Sequence, residues 1–289
     1  MSAEVTRIVL ETGKLRWSSP LIFNDPFDVP RALELPFNEA DIAAALEKRI
    51  REYVLGTAEP VAPWAIELAN AARSQPPHKR DLLLNIVHAS VPDLLVQGRR
   101  AIAGFQSGWT EKVKHLRILC YSAIGDSPPM WAHYASGRAG VVLQFASSDE
   151  RESSSLLATP VIYRAEPPTV PLLDRWVRSF LQEEAPDWNE YFHEYYYVKS
   201  VDWKYEQEYR SITASLEESD ALHTDVPFIP EDLTGVILGP AISSDEEAMV
   251  RLHLGRYPNV QLYRARDDHL SRRVVADLVL TRGAPPRCP

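Results

Sequence analysis

The sequence of 289 residues has little cysteine and a deficit of basic charge, with two cysteines and 31 Lys and Arg against 40 Asp and Glu. Cys120 lies within an apolar run and Cys288 lies near the end of the chain, which gives neither a disulfide framework nor a metal-ligand spacing. The net charge of -9 argues against non-specific electrostatic binding to nucleic acid. We therefore expect a protein of the reducing cytoplasm.

The sequence also lacks long hydrophobic runs. No apolar stretch approaches the length of a membrane span and the first residues show no signal-peptide pattern, so we expect no association with a membrane. The turn at Gly239-Pro240 precedes a predicted helix but lacks the glycine-rich pattern of a phosphate loop, which disfavours a nucleoside triphosphate site there. The remaining composition is that of a soluble globular protein.

Periodicity predicts an α+β fold with a mixed or antiparallel sheet core and flanking helices. Residues 38–55 have helical spacing with one apolar stripe, and further helical pieces follow them. Apolar runs typical of strands occur on both sides, at 118–121, 141–145, 233–238, 260–265 and 274–280. We therefore predict one domain over residues 1–289, with residues 38–112 as a helical insertion between sheet-forming parts.

The stretch Ile118–Phe145 joins two of these predicted strands through a very short helix. Ser127 and the prolines that follow it are typical of a helix start, because serine caps free backbone donors and proline suits the first turn. This arrangement places Trp131, His133 and Tyr134 on one helical turn between core strands. Such a connection is a common place for a binding site, and the alternative is that the aromatic residues only close the end of a sheet.

The stretch Ser200–Thr213 alternates like a strand with a period of two. One face of that strand would carry Lys204, Glu206, Glu208 and Arg210, with the two carboxylates about 7 Å apart. Two interpretations remain open. The carboxylates form an acid/base or substrate-orienting pair tuned by the flanking cations, or the face is solvated and its charges balance in pairs.

The turn Phe23–Asp28 combines asparagine, aspartate and proline, which are residues that stabilise tight turns. Two buried phenylalanine rings would hold it in place. The turn is then either purely structural or presents Asn24 or Asp28 to a ligand.

These features occur in a fixed order and together resemble the bacterial family called domain of unknown function 2971. The motifs that carry the resemblance are Phe23–Asp28, Cys120-Tyr121-Ser122, Met130–Ala135 followed by Gly140, Lys199 with Trp203, Tyr205–Arg210, and Ile237-Leu238-Gly239. One departure is the missing tyrosine-rich strand that usually precedes the segment equivalent to residues 5–17. If that strand contributes a ligand contact, this chain lacks part of the site.

The arrangement is also similar, at a distance, to ADP-ribosyltransferases, with a polar residue on an early strand, a Ser/Tyr-bearing middle element and a late Glu-x-Glu strand. This likeness implies NAD as a substrate and an unknown macromolecular acceptor. Glu208 would stabilise the developing sugar cation and Glu206 would orient or activate the acceptor. The other implied contacts are His133 to a ribose or phosphate, Trp131 or Tyr134 to nicotinamide, Arg210 to the pyrophosphate, and Asn24 and Ser122 to the ligand. Alternatively, Arg210 forms a salt bridge with Glu208 and silences it.

Two other classes of function remain. A metal-dependent nuclease could use Asp202, Lys204 and Glu206, although no upstream acidic partner is evident and we otherwise expect no metal. A non-catalytic module could bind a small molecule, a nucleotide or a partner with Trp131, Tyr134 and Trp203. A pocket whose carboxylates are both held in ion pairs would favour that module. The family resemblance implies a role in bacterial phage defence or toxin systems, which both enzyme interpretations accommodate.

Overall fold

The computed structural model describes residues 1–30, 32–33, 35–148, 150–151, 153–168, 172–185, 188–214 and 221–280; Cys288 lies outside them. The chain forms two units. Unit 1 comprises residues 1–28, 114–166 and 199–289, and unit 2 comprises residues 29–113 and 167–198. The predicted helical insertion 38–112 thus falls in unit 2, together with a second segment further along the chain.

Helices and strands are numbered separately in chain order. The helices are α1 Ala3–Thr12, α2 Glu39–Leu55, α3 Pro63–Arg73, α4 Pro77–Ala89, α5 Val91–His115, α6 Pro128–Tyr134, α7 Leu173–Phe180, α8 Trp188–Tyr196 and α9 Ser244–His253. The strands are β1 Lys14–Ser18, β2 Leu116–Ser122, β3 Val141–Phe145, β4 Thr159–Pro160, β5 Ile162–Arg164, β6 Val198–Ser200, β7 Glu208–Ala214, β8 His223–Pro227, β9 Leu233–Leu238, β10 Gln261–Asp268 and β11 Arg273–Leu280.

Unit 1 is built mainly on two larger sheets, and β5 pairs with β6 in a further two-stranded sheet. The five-stranded sheet has the order β4-β7-β2-β1-β8, and its neighbouring strands are antiparallel. The four-stranded sheet has the order β11-β10-β9-β3, in which β9 and β10 are parallel and are connected through α9. A parallel pair needs such a crossover, whereas antiparallel pairs do not. The α+β prediction with mixed and antiparallel sheets is confirmed.

Strands β3, β9 and β10 of the four-stranded sheet pack with helices α1 and α9 in one apolar core. Leu10 of α1, Val250 of α9 and the strand residues Val236 and Leu262 belong to one buried cluster. Helix α9 begins at a reciprocal cap: the Ser243 side chain accepts from the backbone N–H of Glu246, whose carboxylate accepts in return from the backbone N–H of Ser243. This reciprocal pair satisfies donors that a helix start leaves free.

The chain departs from the sequence prediction at residues 200–206, which we expected to continue a strand. Val201–Glu206 form a 3₁₀ helix whose first turn is capped by the Ser200 hydroxyl, which accepts from the Asp202 N–H at 3.3 Å. The strand β7 then starts at Glu208, so the prediction of a single strand face from Lys204 to Arg210 was wrong. Alternation alone cannot detect a turn that a serine cap starts.

Unit 2 is helical in its described residues and contains α2–α4, α7, α8 and most of α5. Its core includes Ile42 and Leu46 of α2, Ala65 of α3 and Val177 of α7. Helix α2 starts at the predicted place because Asn38 and Asp41 form a reciprocal cap.

The helices of the described ranges include α5, which has 25 residues. None of them combines the length and the apolar character that a membrane crossing requires.

Candidate active site

Unit 1 contains a cavity of about 420 Å³ beside the neighbouring strands β7, β2 and β1. This volume lies in the usual range for small-molecule sites. All of its lining residues belong to unit 1. They are Arg16, Ser18, Ile22, Phe23, Asn24, Asp25, Asp28, Ile118, Leu119, Cys120, Tyr121, Ser122, Met130, Tyr134, Lys199, Trp203, Glu206 and Glu208.

The strand register brings the Glu-x-Glu segment to the end of β2. In the antiparallel pair β2–β7, Ser122 lies opposite Glu208. The Ser122 hydroxyl is 2.6 Å from the backbone oxygen of Glu206, and the Ala123 N–H donates to the backbone oxygen of Gln207 at 2.9 Å. Gln207 itself has left-handed backbone angles, with φ 44° and ψ 54°. Ser122 therefore positions the backbone that carries both glutamates.

Five charged side chains form a continuous network, four in the floor of the cavity and one, Arg210, behind it. The Lys199 ammonium on β6 lies 2.6 Å from Glu206, 3.0 Å from Glu208 and 3.4 Å from Asp28. Arg210 on β7 donates to both oxygens of Asp28, at 2.8 and 2.6 Å, and its Nε donates to Glu208 at 2.8 Å. All five residues are at least nine-tenths buried. Three carboxylates thus share two cations.

The network fixes the protonation of Glu208 and Lys199. Burial alone would raise the pKa of Glu208, but the charge and hydrogen bond of Arg210 and the charge of Lys199 lower that pKa to about 2. Burial likewise opposes the charged form of Lys199, but the attraction of Glu208 and Asp28 raises the pKa of Lys199 above its usual value. At neutral pH Glu208 is therefore an anion and Lys199 a cation.

Aromatic side chains form a wall beside this charged floor. The Tyr134 hydroxyl on α6 donates to Glu206 Oε1 at 2.6 Å. Burial, and then the hydrogen bond to the Glu206 carboxylate, raise the pKa of Tyr134, which stays a neutral phenol. The Trp203 ring centroid lies 5.0 Å from Lys199 Nζ, and the Phe23 ring centroid lies 5.9 Å from Arg210 Cζ. These rings border the charges at cation–π distance.

The cavity contains five of the eight predicted site residues. They are Glu206, Glu208, Tyr134, Asn24 and Ser122. Of these, Glu206 and Glu208 are brought together as a pair, since both contact Lys199. The predicted salt bridge between Arg210 and Glu208 is also present.

The other three predicted residues do not line the cavity. Trp131 is 1% exposed, packs in the core with Ile237, and donates its indole N–H to the Gly125 backbone oxygen at 2.8 Å. The prediction that Trp131 stacks on a ligand ring was wrong, because its side chain is buried in the core. His133 is exposed, with its ring 6.2 Å from that of Tyr205. Arg210 is fully buried behind the floor, so it offers no surface for a pyrophosphate.

Sequence reasoning left three important residues out of the site. Asp28 was considered only as a possible ligand contact, Lys199 only as part of the family pattern, and Trp203 only for a binding module. A detectable signal exists for Lys199, because a lysine directly after an aromatic and apolar run is an unusual strand residue unless it is paired. Nothing local in the sequence indicates that Asp28 meets Arg210 across the fold.

Cys120 also faces the cavity, and solvent reaches its side chain there. Its surroundings disfavour the thiolate, because burial and the nearby Glu208 charge raise the pKa of Cys120 well above its usual value. The reactive form of cysteine is the thiolate. The thiol form of Cys120 is therefore favoured at the cavity wall.

The nuclease interpretation required Asp202, Lys204 and Glu206 on one strand face. These residues lie instead on the 3₁₀ helix, with Asp202 and Lys204 exposed and Glu206 buried. In the part of the chain that the structure describes, no group of three or more His, Cys, Asp or Glu side chains is arranged to hold a metal ion.

Residues 130–211 match the sequence model of a family described as a protein of unknown function (DUF2971). The similarity to this family covers this segment, which is less than half of the chain. The DUF2971 segment runs from α6 to β7 and contains Tyr134, Lys199, Glu206 and Glu208, whereas Asp28 lies before it. No curated protein and no solved structure matches the chain. The family segment thus contains most of the charged floor and two side chains of the aromatic wall, Tyr134 and Trp203.

Proposed function

We propose that the cavity of unit 1 binds the nicotinamide–ribose end of NAD, and that the chain transfers the ADP-ribosyl group to an acceptor. The observation that carries this proposal is the convergence of neighbouring strands β1, β2 and β7 on one cavity. There the carboxylates of Glu206 and Glu208 lie beside the aromatic side chains of Tyr134 and Trp203. An anionic floor beside an aromatic wall suits a planar ring attached to a sugar.

The reaction breaks the bond between the ribose carbon and the pyridinium nitrogen, and the bonding electron pair goes to the nicotinamide. The sugar then carries a developing positive charge, as in glycoside hydrolysis. Glu208 is an anion held in place by Arg210 and Lys199, so it can stabilise that charge without reorganising. Glu206 would accept a proton from the acceptor, which then bonds to the ribose carbon.

This assignment changes the role of Arg210 from a ligand contact to a positioning residue. Its guanidinium donates to Glu208 and Asp28 and is fully buried. A bidentate arginine of this kind fixes the orientation of a carboxylate. Arg210 therefore keeps Glu208 ionised and fixed in orientation.

A second candidate is a non-catalytic pocket that only binds its ligand. The observation that favours it is that both glutamates are engaged in ion pairs, with Lys199 bridging them at 2.6 and 3.0 Å. A carboxylate held this way is less available for proton transfer. Both candidate functions use the same cavity. They differ in whether the bound ligand undergoes a reaction there.

The deciding experiment measures nicotinamide release from NAD by the purified full chain, in EDTA and in Mg²⁺. It is repeated with Glu208→Gln, Glu206→Gln and the matched control Glu247→Gln. Glu247 is a suitable control because it also pairs with two arginines, Arg251 and Arg264, but does not line the cavity. Melting temperatures of all variants, with and without NAD, are measured alongside.

We expect nicotinamide release that does not depend on Mg²⁺. Glu208→Gln should lower the rate of release at least about a hundredfold, whereas the control Glu247→Gln should keep it. Release that Glu208→Gln does not affect would contradict the assignment of this residue. An NAD-induced rise in melting temperature without release would support the non-catalytic pocket. The absence of both nicotinamide release and an NAD-induced shift in melting temperature would exclude NAD as the ligand.

A further inference from the structure

The lining of the cavity has an excess of negative charge. Four carboxylates line it, from Asp25, Asp28, Glu206 and Glu208, against the two cations Arg16 and Lys199. Arg210 adds one positive charge behind the floor, which reduces the excess from two negative charges to one. Arg16 is in addition paired outside the lining with Asp225, at 2.9 Å.

The same cavity is bordered by the aromatic side chains of Phe23, Tyr121, Tyr134 and Trp203. Aromatic faces attract cations through the ring quadrupole, and a neighbouring anionic floor adds to this attraction. The Lys199 ammonium lies 5.0 Å from the Trp203 ring centroid, so one of these rings already has a cation as its neighbour. Two independent features of the cavity therefore favour the same sign of ligand charge.

We propose that this cavity selects its ligand by positive charge and takes a planar aromatic cation, a pyridinium, in preference to the neutral ring of the same size. This inference rests on the proposed function, because the oxidised nicotinamide of NAD is a pyridinium whereas the reduced form is neutral. It goes further in predicting that the ring alone is bound, without the nucleotide. It also predicts that the reduced dinucleotide is a weak ligand.

Two methylated forms of nicotinamide separate charge from size in a binding test. Nicotinamide methylated on the ring nitrogen is a cation, whereas nicotinamide methylated on the amide nitrogen is neutral and has the same number of carbon atoms. Calorimetric titration of each into the full chain measures the preference directly. The same titrations are made with Glu206→Gln, Asp25→Asn and the control Glu247→Gln.

We expect the cation to bind about tenfold more tightly than the neutral form. The preference should fall to about twofold in Glu206→Gln, which removes one negative charge from the floor. Asp25→Asn should lower it less, and that variant keeps an oxygen for the Phe27 N–H that Asp25 accepts at 2.9 Å. Glu247→Gln should keep the full preference. Asp25→Asn also provides the charge test if Glu206→Gln does not fold.

Equal binding of the two methylated forms by the unchanged chain, or no binding of the cation, would overturn the inference. A preference that survives both cavity substitutions would overturn it as well. Nicotinamide release is measured separately, so the two proposals fail separately. A cation preference without release removes the transferase proposal alone, and release without a preference removes this inference alone.

Discussion

Unit 1 and unit 2 each contain a buried glutamate with a pKa lowered to about 2, and they hold it by different means. In unit 2, Glu183 accepts two hydrogen bonds from Arg49, at 2.7 and 2.8 Å, one from Arg178 at 3.2 Å, and one from the Tyr53 hydroxyl. Both arginines are partly exposed, with side chains 23% and 40% accessible. In unit 1, by contrast, the partners of Glu208 are as buried as Glu208 itself.

The comparison separates a structural carboxylate from one that can serve a ligand. Glu183 is surrounded by donors, and its hydrogen bonds connect α2 to the residues after α7, as a structural tie does. The unit 1 network has more carboxylates than cations and lines a cavity. A buried excess charge is expensive, and such arrangements cluster where proteins bind or react.

The largest effect is expected from Arg210→Met. This change leaves Asp28 and Glu208 buried with one cation fewer, so we expect a loss of about 4 kcal/mol in the free energy of unfolding. Urea denaturation of the variant and the unchanged chain measures it. The control Arg16→Gln removes a largely exposed guanidinium and should lose less than about 1 kcal/mol. A loss of unfolding free energy for Arg210→Met as small as that for the control would mean that the network does not stabilise the fold.

A smaller effect is expected from Glu183→Gln in unit 2. The amide keeps one acceptor but loses the charge that two arginines contact, so we expect a loss of about 3 kcal/mol in the free energy of unfolding. Binding of the ring cation should stay unchanged, since Glu183 does not line the cavity of unit 1. Urea denaturation and the calorimetric titration together check both halves. Weakened cation binding with intact folding would contradict the separation of the two roles.

The pH dependence of stability sharpens the same comparison. The Arg49 hydrogen bonds lower the pKa of Glu183 from 4.5 to about 2, so between these values the unfolded chain binds a proton that the folded chain does not. Stability therefore falls as the pH falls through this window. Glu183→Gln should reduce the slope by about 1.4 kcal/mol per pH unit. Denaturation of the variant and of the unchanged chain at about pH 2.5 to 4.5 measures it.

The smallest effect is expected from Tyr134→Phe. It removes the hydrogen bond to the Glu206 carboxylate, and because Tyr134 is 38% exposed we expect a loss of about 1 kcal/mol. Tyr121→Phe removes a weaker contact to the neutral Ser154 hydroxyl at 3.3 Å and should lose about half as much. Urea denaturation compares the two. Equal losses would mean that the charge of Glu206 adds nothing to the bond.

Much of the fold follows from local signals in the sequence. The strands at 116–122, 141–145 and 233–238 are short apolar runs, and α2 and α9 begin at capping residues, so periodicity and capping chemistry located them. The order of the strands in the two sheets did not follow from the sequence. It depends on pairings between segments far apart in the chain, such as β2 with β7, which local patterns do not encode.

The site was predicted in part for the same reason. Glu206 and Glu208 were recognised from their spacing and Tyr134 from its short helix, and all three line the cavity. Trp131 and His133 were misplaced because helical periodicity does not say which side of so short a helix meets the core. The partnership of Asp28 with Arg210 spans 182 residues and has no local signature.

The left-handed backbone at Gln207 has a consequence for anyone who would transplant this site. In a regular strand, glutamates at positions i and i+2 run parallel about 7 Å apart and would not close on a common partner. The reversal at Gln207 instead brings both carboxylates to one ammonium. Glycine or asparagine should substitute there, and valine or isoleucine should not. A graft of the two glutamates into a flat sheet would keep the Glu-x-Glu sequence but would lose the left-handed residue that brings both carboxylates to one ammonium.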